Sequence, residues 1–287
     1  MQKRLLFLLA FLMTAISSAM AQVTTSSMSG TVVAEGEEII GATVDVVHTP
    51  SGTHYRAVTN EKGVYTINGM RVGGPYQVTV KCIGFSDKTV GGINLQLGET
   101  YNLKTNLSES VKEMQEVTVS AKGSKFSYEQ TGASTNISNE QMLAMPTVSR
   151  SVTDFTRLSP YGGNGMTFQG SDGRTANFTV DGANFNNNFG LSSSLPGGGN
   201  PISMEAIEEL QVVISPFDVR QTGFIGGALN AITKSGTNTF KGQAYIYHQN
   251  ENMRGDAVES EFISGSRDKD RTTTYGFSLG GPIIKNK

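Results

Sequence analysis

The chain has no tryptophan, a single cysteine and three histidines. One cysteine cannot form an internal disulfide, so stability must come from burial or from a membrane environment. Cys82 lies in PYQVTVKC, where Tyr76, Val78, Val80 and Cys82 share one face of an expected strand and Gln77, Thr79 and Lys81 the other. That placement makes it a small buried hydrophobe rather than a reactive thiol. His48, His54 and His248 have no acidic or cysteine partner at metal-ligand spacing. His48 and His54 are expected at neighbouring strand ends as solvated polar positions. No nucleophile elbow, Walker sequence or dinucleotide fingerprint occurs, so the expectation is a protein that is not an enzyme and holds no metal or cofactor. Beyond the first 21 residues no apolar run approaches the ~18 to 20 residues of a spanning helix, so entry into a membrane would have to be by the alternating strands of a β-barrel.

What is present begins with Lys3 and Arg4, an apolar run from Leu5 to Ile16, and the small residues Ala19 and Ala21. This is the pattern of a signal peptide over residues 1–21, cleaved before Gln22. Losing Lys3 and Arg4 takes the formal charge from -2 to -4, which excludes a basic nucleic-acid footprint. Glycine supplies 34 of 287 residues, a surplus that favours short strands and tight loops over long helices.

Residues 22–109 read as a β-sandwich, with strand signals MSGTVVA, ATVDVVHT, HYRAVT, VYTI, PYQVTVKC and ETYNLKTNL separated by turn chemistry. Asn60 to Gly63 is expected to form a hairpin turn, with Gly63 supplying a positive φ. Residues 110–123 are a polar linker that includes the extended segment Glu116, Val117, Thr118, Val119 and Ser120. Residues 124–238 read as mixed α/β. There, Ser138 and Gln141 fit a capping box ahead of a short helix ended by Pro146, and Val152, Phe155 and Leu158 mark one side of a second helical stretch. The glycines of GGNGMTFQG at 162–170 lack nucleotide-loop spacing and read as a flexible loop. Residues 239–287 change to long alternating strands. In TTTYGFSLGG, Thr273, Tyr275, Phe277 and Leu279 point one way. In KGQAYIYHQ, Ala244 and Ile246 oppose Tyr245 and Tyr247, and either face can be outward.

The stretch PISMEAIEELQVVISPFDVRQTGFIGGALNAITKSGTNTFKG resembles the end of the plug domain of TonB-dependent outer-membrane transporters, in the form closest to their Oar-like branch. SGTVVAEGEEIIGATVDVV and TNEKGVYTINGMRVGGPYQVTVKCIGF resemble the carboxypeptidase regulatory-like, transthyretin-type domain that precedes the plug in many Bacteroidetes members. The resemblance implies a mainly β fold with some α: a transthyretin/prealbumin-like β-sandwich, a mixed α/β plug and the first strands of a truncated transmembrane β-barrel. A barrel of about 22 strands, each ~9 to 11 residues long, does not fit into residues 239–287, so the chain is expected to be the N-terminal part of a longer protein.

The resemblance further implies an exported, cell outer-membrane protein with its sandwich in the periplasm. TonB, with its energising ExbB/ExbD complex, would be the partner, outer-membrane lipid would surround the barrel, and the unknown ligand could include a peptide or protein. Glu116 to Ser120 stands where a TonB box occurs, or is simply the first strand of the plug. Asn184, Phe185, Asn186, Asn187, Asn188 and Phe189 form a ligand-facing plug loop or a solvated one, and they lack the carboxylates that calcium prefers. Asp181, Gly182, Arg220, Gly226 and Gly227 carry plug structure and gating, with Arg220 meeting either barrel acids or a buried carbonyl. Active transport gated by the plug is the leading expectation, and an Oar-like adhesion or structural protein anchored by its barrel is the alternative.

Overall fold

The computed structural model describes residues 23–109, 117–120, 132–147, 150–186, 195, 200–216, 221–253, 255, 257–258, 261–262 and 268–285. The signal-peptide reading of 1–21, together with Glu116, Asn187, Asn188, Phe189 and Arg220, lies outside these residues. The described chain is mainly β, with one short α-helix and a few short 3-10 helices.

The first body is a two-sheet sandwich. One sheet is centred on β1 (Ser26–Ala34), which pairs antiparallel with β2 (Glu37–Glu38). The other contains β3 (Thr43–His48) and β4 (Thr53–Val58), and the chain then returns to the first sheet with β5 (Val64–Met70), antiparallel to β1. Next come β6 (Gly73–Lys81) and β7 (Lys88–Leu95) in the second sheet, and β8 (Thr100–Leu107), parallel to β1. Every second residue of β1 is buried, and Met28 and Val32 meet Val44 and Val46 of β3 and Tyr76, Val78 and Val80 of β6 in one core. Each such apolar side chain contributes about 1.5 to 3 kcal/mol when fully withdrawn from water, so the alternation itself holds the sheets face to face. Cys82 packs half-buried against this core.

Two expectations for the sandwich are corrected by the structure. Asn60 does make a turn: its Oδ1 accepts from the N–H groups of Lys62 (2.9 Å) and Val64 (3.0 Å), and Gly63 has φ +64°. However, β4 and β5 belong to different sheets, so the turn is a corner that carries the chain across the sandwich and not a hairpin. His48 is buried rather than solvated. Its ring lies 4.8 Å from that of Tyr76, and its Nδ1 is 2.6 Å from the Ser51 hydroxyl. His54 is exposed beside Asp45, 3.4 Å away.

Strand β9 (Val117–Ser120) joins the sandwich, pairing in parallel with β7 from Lys88 to Gly91. It is therefore the outer strand of the sheet β4-β3-β6-β7-β9, and not the first strand of the sheet that follows. That next sheet has the order β10-β13-β14-β11-β12, formed by β10 (Gly132–Ser138), β11 (Asn177–Val180), β12 (Ala183–Asn184), β13 (Ile207–Pro216) and β14 (Ala228–Thr233). Only the pairing of β11 with β14 is parallel. The helix α1 (Asn139–Ala144) starts at the expected capping box, with Ser138 and Gln141 each closing on the other's backbone, and buries Met142. The 3-10 helix Val152–Leu158 has a second capping box, from Ser151 and Asp154, and buries Val152 and Phe155 while Leu158 stays partly exposed. The glycine segment 162–170 is not a loose loop. Met166 and Phe168 are core residues, and Gly162 bridges to Phe168.

The sandwich and this mixed sheet meet at the corner between β7 and β8. Leu97, fully buried with Val23 and Val72, packs against Ile232 of β14. Its N–H donates to Glu209 Oε1 (2.9 Å), and its carbonyl accepts from Gln211 Nε2 (2.8 Å). Residues 236–287 form a separate unit. In it, β15 (Lys241–Asn250) pairs along its whole length with a later ten-residue strand, and β16 (Ala257–Val258) and β17 (Glu261–Phe262) make a short ladder. The later strand is β18 (Arg271–Gly280). The described strands of this unit form open two-stranded ladders, not a closed barrel.

Burial, followed by the nearby charge of Arg71, lowers the pKa of His48 to about 4. The unfolded chain would protonate this ring near 6.5, so the folded form binds fewer protons between those values. The sandwich therefore loses stability as pH falls from about 6.5 to about 4. An NMR titration should place the His48 midpoint near 4, whereas a midpoint near 6.5 would contradict the buried, neutral ring.

Candidate functional site

The turn after β11 is built from Asp181 and Gly182, both at positive φ (48° and 81°), which is the two-residue geometry whose twist matches a hairpin. Hydrogen bonds from its backbone and side chain hold Asp181 in that conformation. Its N–H donates to the Ala231 carbonyl (2.9 Å), and its carboxylate accepts from the Thr233 N–H (2.9 Å) and hydroxyl (2.6 Å). One aspartate thus ties the β11–β12 turn to the end of β14, where the chain leaves for residues 236–287.

The asparagine cluster folds back on the same strand. Asn186 Oδ1 accepts from the Phe178 N–H (2.6 Å), its Nδ2 donates to Asn177 Oδ1 (2.7 Å), and its own N–H donates to Asn184 Oδ1 (2.8 Å). The Phe185 N–H donates to the Phe178 carbonyl (2.8 Å), leaving the Phe185 ring 40% exposed. Among the described members of this loop, the amides of Asn184 and Asn186 shape the hairpin, and Phe185 is exposed to solvent, as is Asn184. Asn177 also donates to the Thr222 carbonyl (3.3 Å), which draws the loop base to the segment leading into β14.

Gly226 and Gly227 lie in that segment for a steric reason. Gly226 has φ +96°, and a Cβ on Gly227 would lie 2.5 Å from the fully buried ring of Phe168. The glycine pair lets the backbone run flat against an aromatic ring of the core while Asn177 of β11 donates its N–H to the Gly227 carbonyl (3.2 Å). The structure thus gathers Asp181, Gly182, Asn184, Phe185, Asn186, Gly226 and Gly227 around β11 and β14. Val117, Thr118, Val119 and Ser120 stand apart from them, as β9 on the sandwich edge.

A buried ion pair was not visible in the sequence. Arg150, in the left-handed region at φ 52°, donates through Nη2 to Glu205 Oε1, and the Ser203 hydroxyl donates to Glu205 Oε2. Both charged side chains are largely withdrawn from water. The partners are 55 positions apart in sequence, and no local pattern couples them. Among the described residues, no group of three His, Cys, Asp or Glu side chains assembles into a metal site.

The register of the last unit decides which face of β15 is apolar. Ala244 is opposite Phe277, Ile246 opposite Tyr275 and Gly242 opposite Leu279. Ile246, Phe277 and Leu279 are 74%, 85% and 77% exposed, so the pair carries one continuous uncovered apolar face. The other face carries Gln243, Tyr245, Tyr247 and Gln249 opposite Ser278, Gly276, Thr274 and Thr272.

Replacing Gly227 by alanine should cost about 1 to 3 kcal/mol through overpacking against Phe168, read as a lowered denaturant midpoint; an unchanged midpoint would show that the ring gives way freely. Replacing Glu205 by alanine should cost about 3 to 5 kcal/mol by leaving the Arg150 guanidinium buried without its carboxylate, and a loss below 1 kcal/mol would contradict that pairing.

Residues 27–108 match the carboxypeptidase regulatory-like domain family, and residues 232–287 match the outer membrane beta barrel domain family. A curated relative, the TonB-dependent transporter Oar of Myxococcus xanthus, is 27% identical over 146 residues, covering 48% of this chain; the match spans only 13% of the relative's length. Among solved structures, catechol 1,2-dioxygenase of Acinetobacter radioresistens is 15% identical over 35% of this chain and 58% of that one, with a TM-score of 0.25. A cohesin–X-dockerin complex of Acetivibrio cellulolyticus is 17% identical over 29% and 58%, also at 0.25. Likenesses at that score carry no argument. The sequence matches together support a carboxypeptidase regulatory-like module ahead of outer-membrane barrel sequence.

Proposed function

We propose that this chain belongs to a TonB-dependent active transporter of the outer membrane, non-enzymatic and without a cofactor. Residues 124–238 would be its plug, and residues 239–287 the first part of a barrel of about 22 strands. The observation that carries this reading is the β15–β18 pair: two strands of ten residues, the length that crosses a bilayer when tilted, with an apolar face on one side and a polar face on the other. The matches to an outer-membrane barrel family and to a transporter named for TonB support it.

In this mechanism ligand reaches the outward end of the plug, where the Phe185 ring offers a stacking surface beside the rest of the asparagine loop. Asp181 and Gly182 hold that loop, Gly226 and Gly227 let the plug backbone pack closely, and Arg220 helps to seat the plug. The segment Glu116 to Ser120 then passes to TonB, which is energised by ExbB and ExbD. Val117 to Ser120 is already extended as β9, so it can be transferred from the β7 edge to a sheet edge of TonB by strand addition. Siderophores, oligosaccharides, cobalamin, peptides and whole proteins remain the range of cargo, because specificity belongs largely to extracellular loops.

Deleting Glu116 to Ser120 from the full-length protein should lower its affinity for the purified periplasmic domain of TonB at least tenfold by calorimetry. The single change Val119→Pro, which removes a ladder donor, should act in the same direction. Equal binding by the intact and deleted proteins would remove this segment from the mechanism, and no binding by the intact protein would favour a barrel-anchored adhesin.

A further inference from the structure

Two side chains of β13 read the backbone of one residue in the other domain. Glu209 and Gln211 are two positions apart and so project from the same face of the strand, the face opposite to Leu210 and Val212 of the core. Glu209 takes the N–H of Leu97 and Gln211 takes its carbonyl, while the Leu97 side chain is sealed among Val23, Val72 and Ile232. Gln211 is braced from behind, since its Oε1 accepts from Asn230 Nδ2 (3.4 Å) and Asn230 Oδ1 accepts from the Thr179 hydroxyl (2.8 Å). Gln211 has a neutral amide that can remain buried at any pH. Glu209 does not.

We propose that Leu97 with Glu209 and Gln211 forms a proton-dependent lock, which docks the sandwich on the mixed sheet when Glu209 is protonated and releases it when Glu209 is ionised. Glu209 is 5% exposed, so its charged form has almost no water to solvate it. The charged groups acting on it are Glu99, from the same β7–β8 corner of the sandwich as Leu97, and Glu208, from its own strand, and both are acidic. Among the described residues, only the single N–H of Leu97 opposes them. Burial is the largest effect and raises the pKa of Glu209 to about 8, with the two neighbouring carboxylates adding to it and the Leu97 hydrogen bond opposing it.

Undocking uncovers Glu209 and returns it toward the ordinary carboxylate value of 4.5. The docked state therefore binds the extra proton, and docking is strongest at and below that ordinary value. Its equilibrium constant falls about tenfold for each pH unit between about 4.5 and about 8, and levels off above that range. The lock does not depend on the transport reading. If that reading holds, the lock controls whether the two ends of segment 108–131, which contains Val117 to Ser120, are held by one docked body or by two separate ones.

The test uses the chain with Cys82→Ser and spin labels at Lys104→Cys on β8 and Glu140→Cys on α1, both exposed positions, followed by pulsed electron–electron distance measurements from pH 5 to pH 9. The native pair should give one narrow distance at pH 5 and a broad, longer distribution at pH 9, consistent with a loss of docking constant of about a thousandfold. Glu209→Gln should stay narrow throughout, and Leu97→Ser should be broad throughout with an unchanged far-UV spectrum. A native distribution that is the same at pH 5 and pH 9 would overturn the lock, as would a Glu209→Gln chain that broadens at pH 9 like the native one. If Glu209→Gln fails to fold, the native pH series decides alone.

Discussion

Strand β13 is buried on both faces, and the rest of residues 132–235 is arranged around that constraint. One face, with Leu210, Val212 and Ile214, joins Phe155, Phe168 and Phe178 in the core. The other carries Glu209 and Gln211 to the sandwich. Its two edges are taken by β10 and β14. A strand enclosed on every side cannot shift by one residue without driving two polar groups into the apolar core and exposing three aliphatic side chains at the sandwich. Its register therefore fixes the height of β14, and β14 in turn fixes β11 and the Asp181 turn.

Much of the fold was legible wherever the pattern was local. The alternation of Met28, Val32 and Ala34 in β1 and of Leu103, Thr105 and Leu107 in β8 matches their burial. The capping box at Ser138 marked the start of α1. Strand β7 is absent from the strand signals, because Gly91 and Gly92 interrupt its alternation; they form a bulge where the pairing with β6 slips. Strand β10, GASTNIS, was hidden by its polarity, since it is an outer strand of its sheet with only Ile137 buried. The Asn60 turn was correctly recognised as a turn, but which sheets it joins is a long-range property that turn chemistry does not encode. The glycines at 162–170 suggested looseness, yet Met166 and Phe168 between them are apolar residues that the core takes up.

The candidate site divides along the same line. Asp181 and Gly182 announced their turn by residue type. The roles of Gly226 and Gly227 became specific only when Phe168 was found against them. Asn184 and Asn186 read as part of a ligand-facing or solvated loop, and residue type alone did not disclose the hydrogen bonds they make within the hairpin and to β11. The pairs Arg150–Glu205 and Leu97–Glu209 left no sequence signal, because their partners meet only after the sheets have formed. Which face of β15 is the apolar one was ambiguous from alternation alone, and pairing with β18 settles it by aligning Ile246 with Tyr275 and Ala244 with Phe277.

The transport reading rests on what surrounds that last pair of strands. With Cys82→Ser in the full-length protein, single cysteines at position 277 and position 278 can be spin-labelled in isolated outer membranes and challenged with oxygen, which partitions into lipid, and with a nickel chelate confined to water. The account predicts that the label at 277 is relaxed by oxygen and shielded from nickel, and that the label at 278 shows the reverse. Two labels equally open to nickel would place both faces in water and contradict the account.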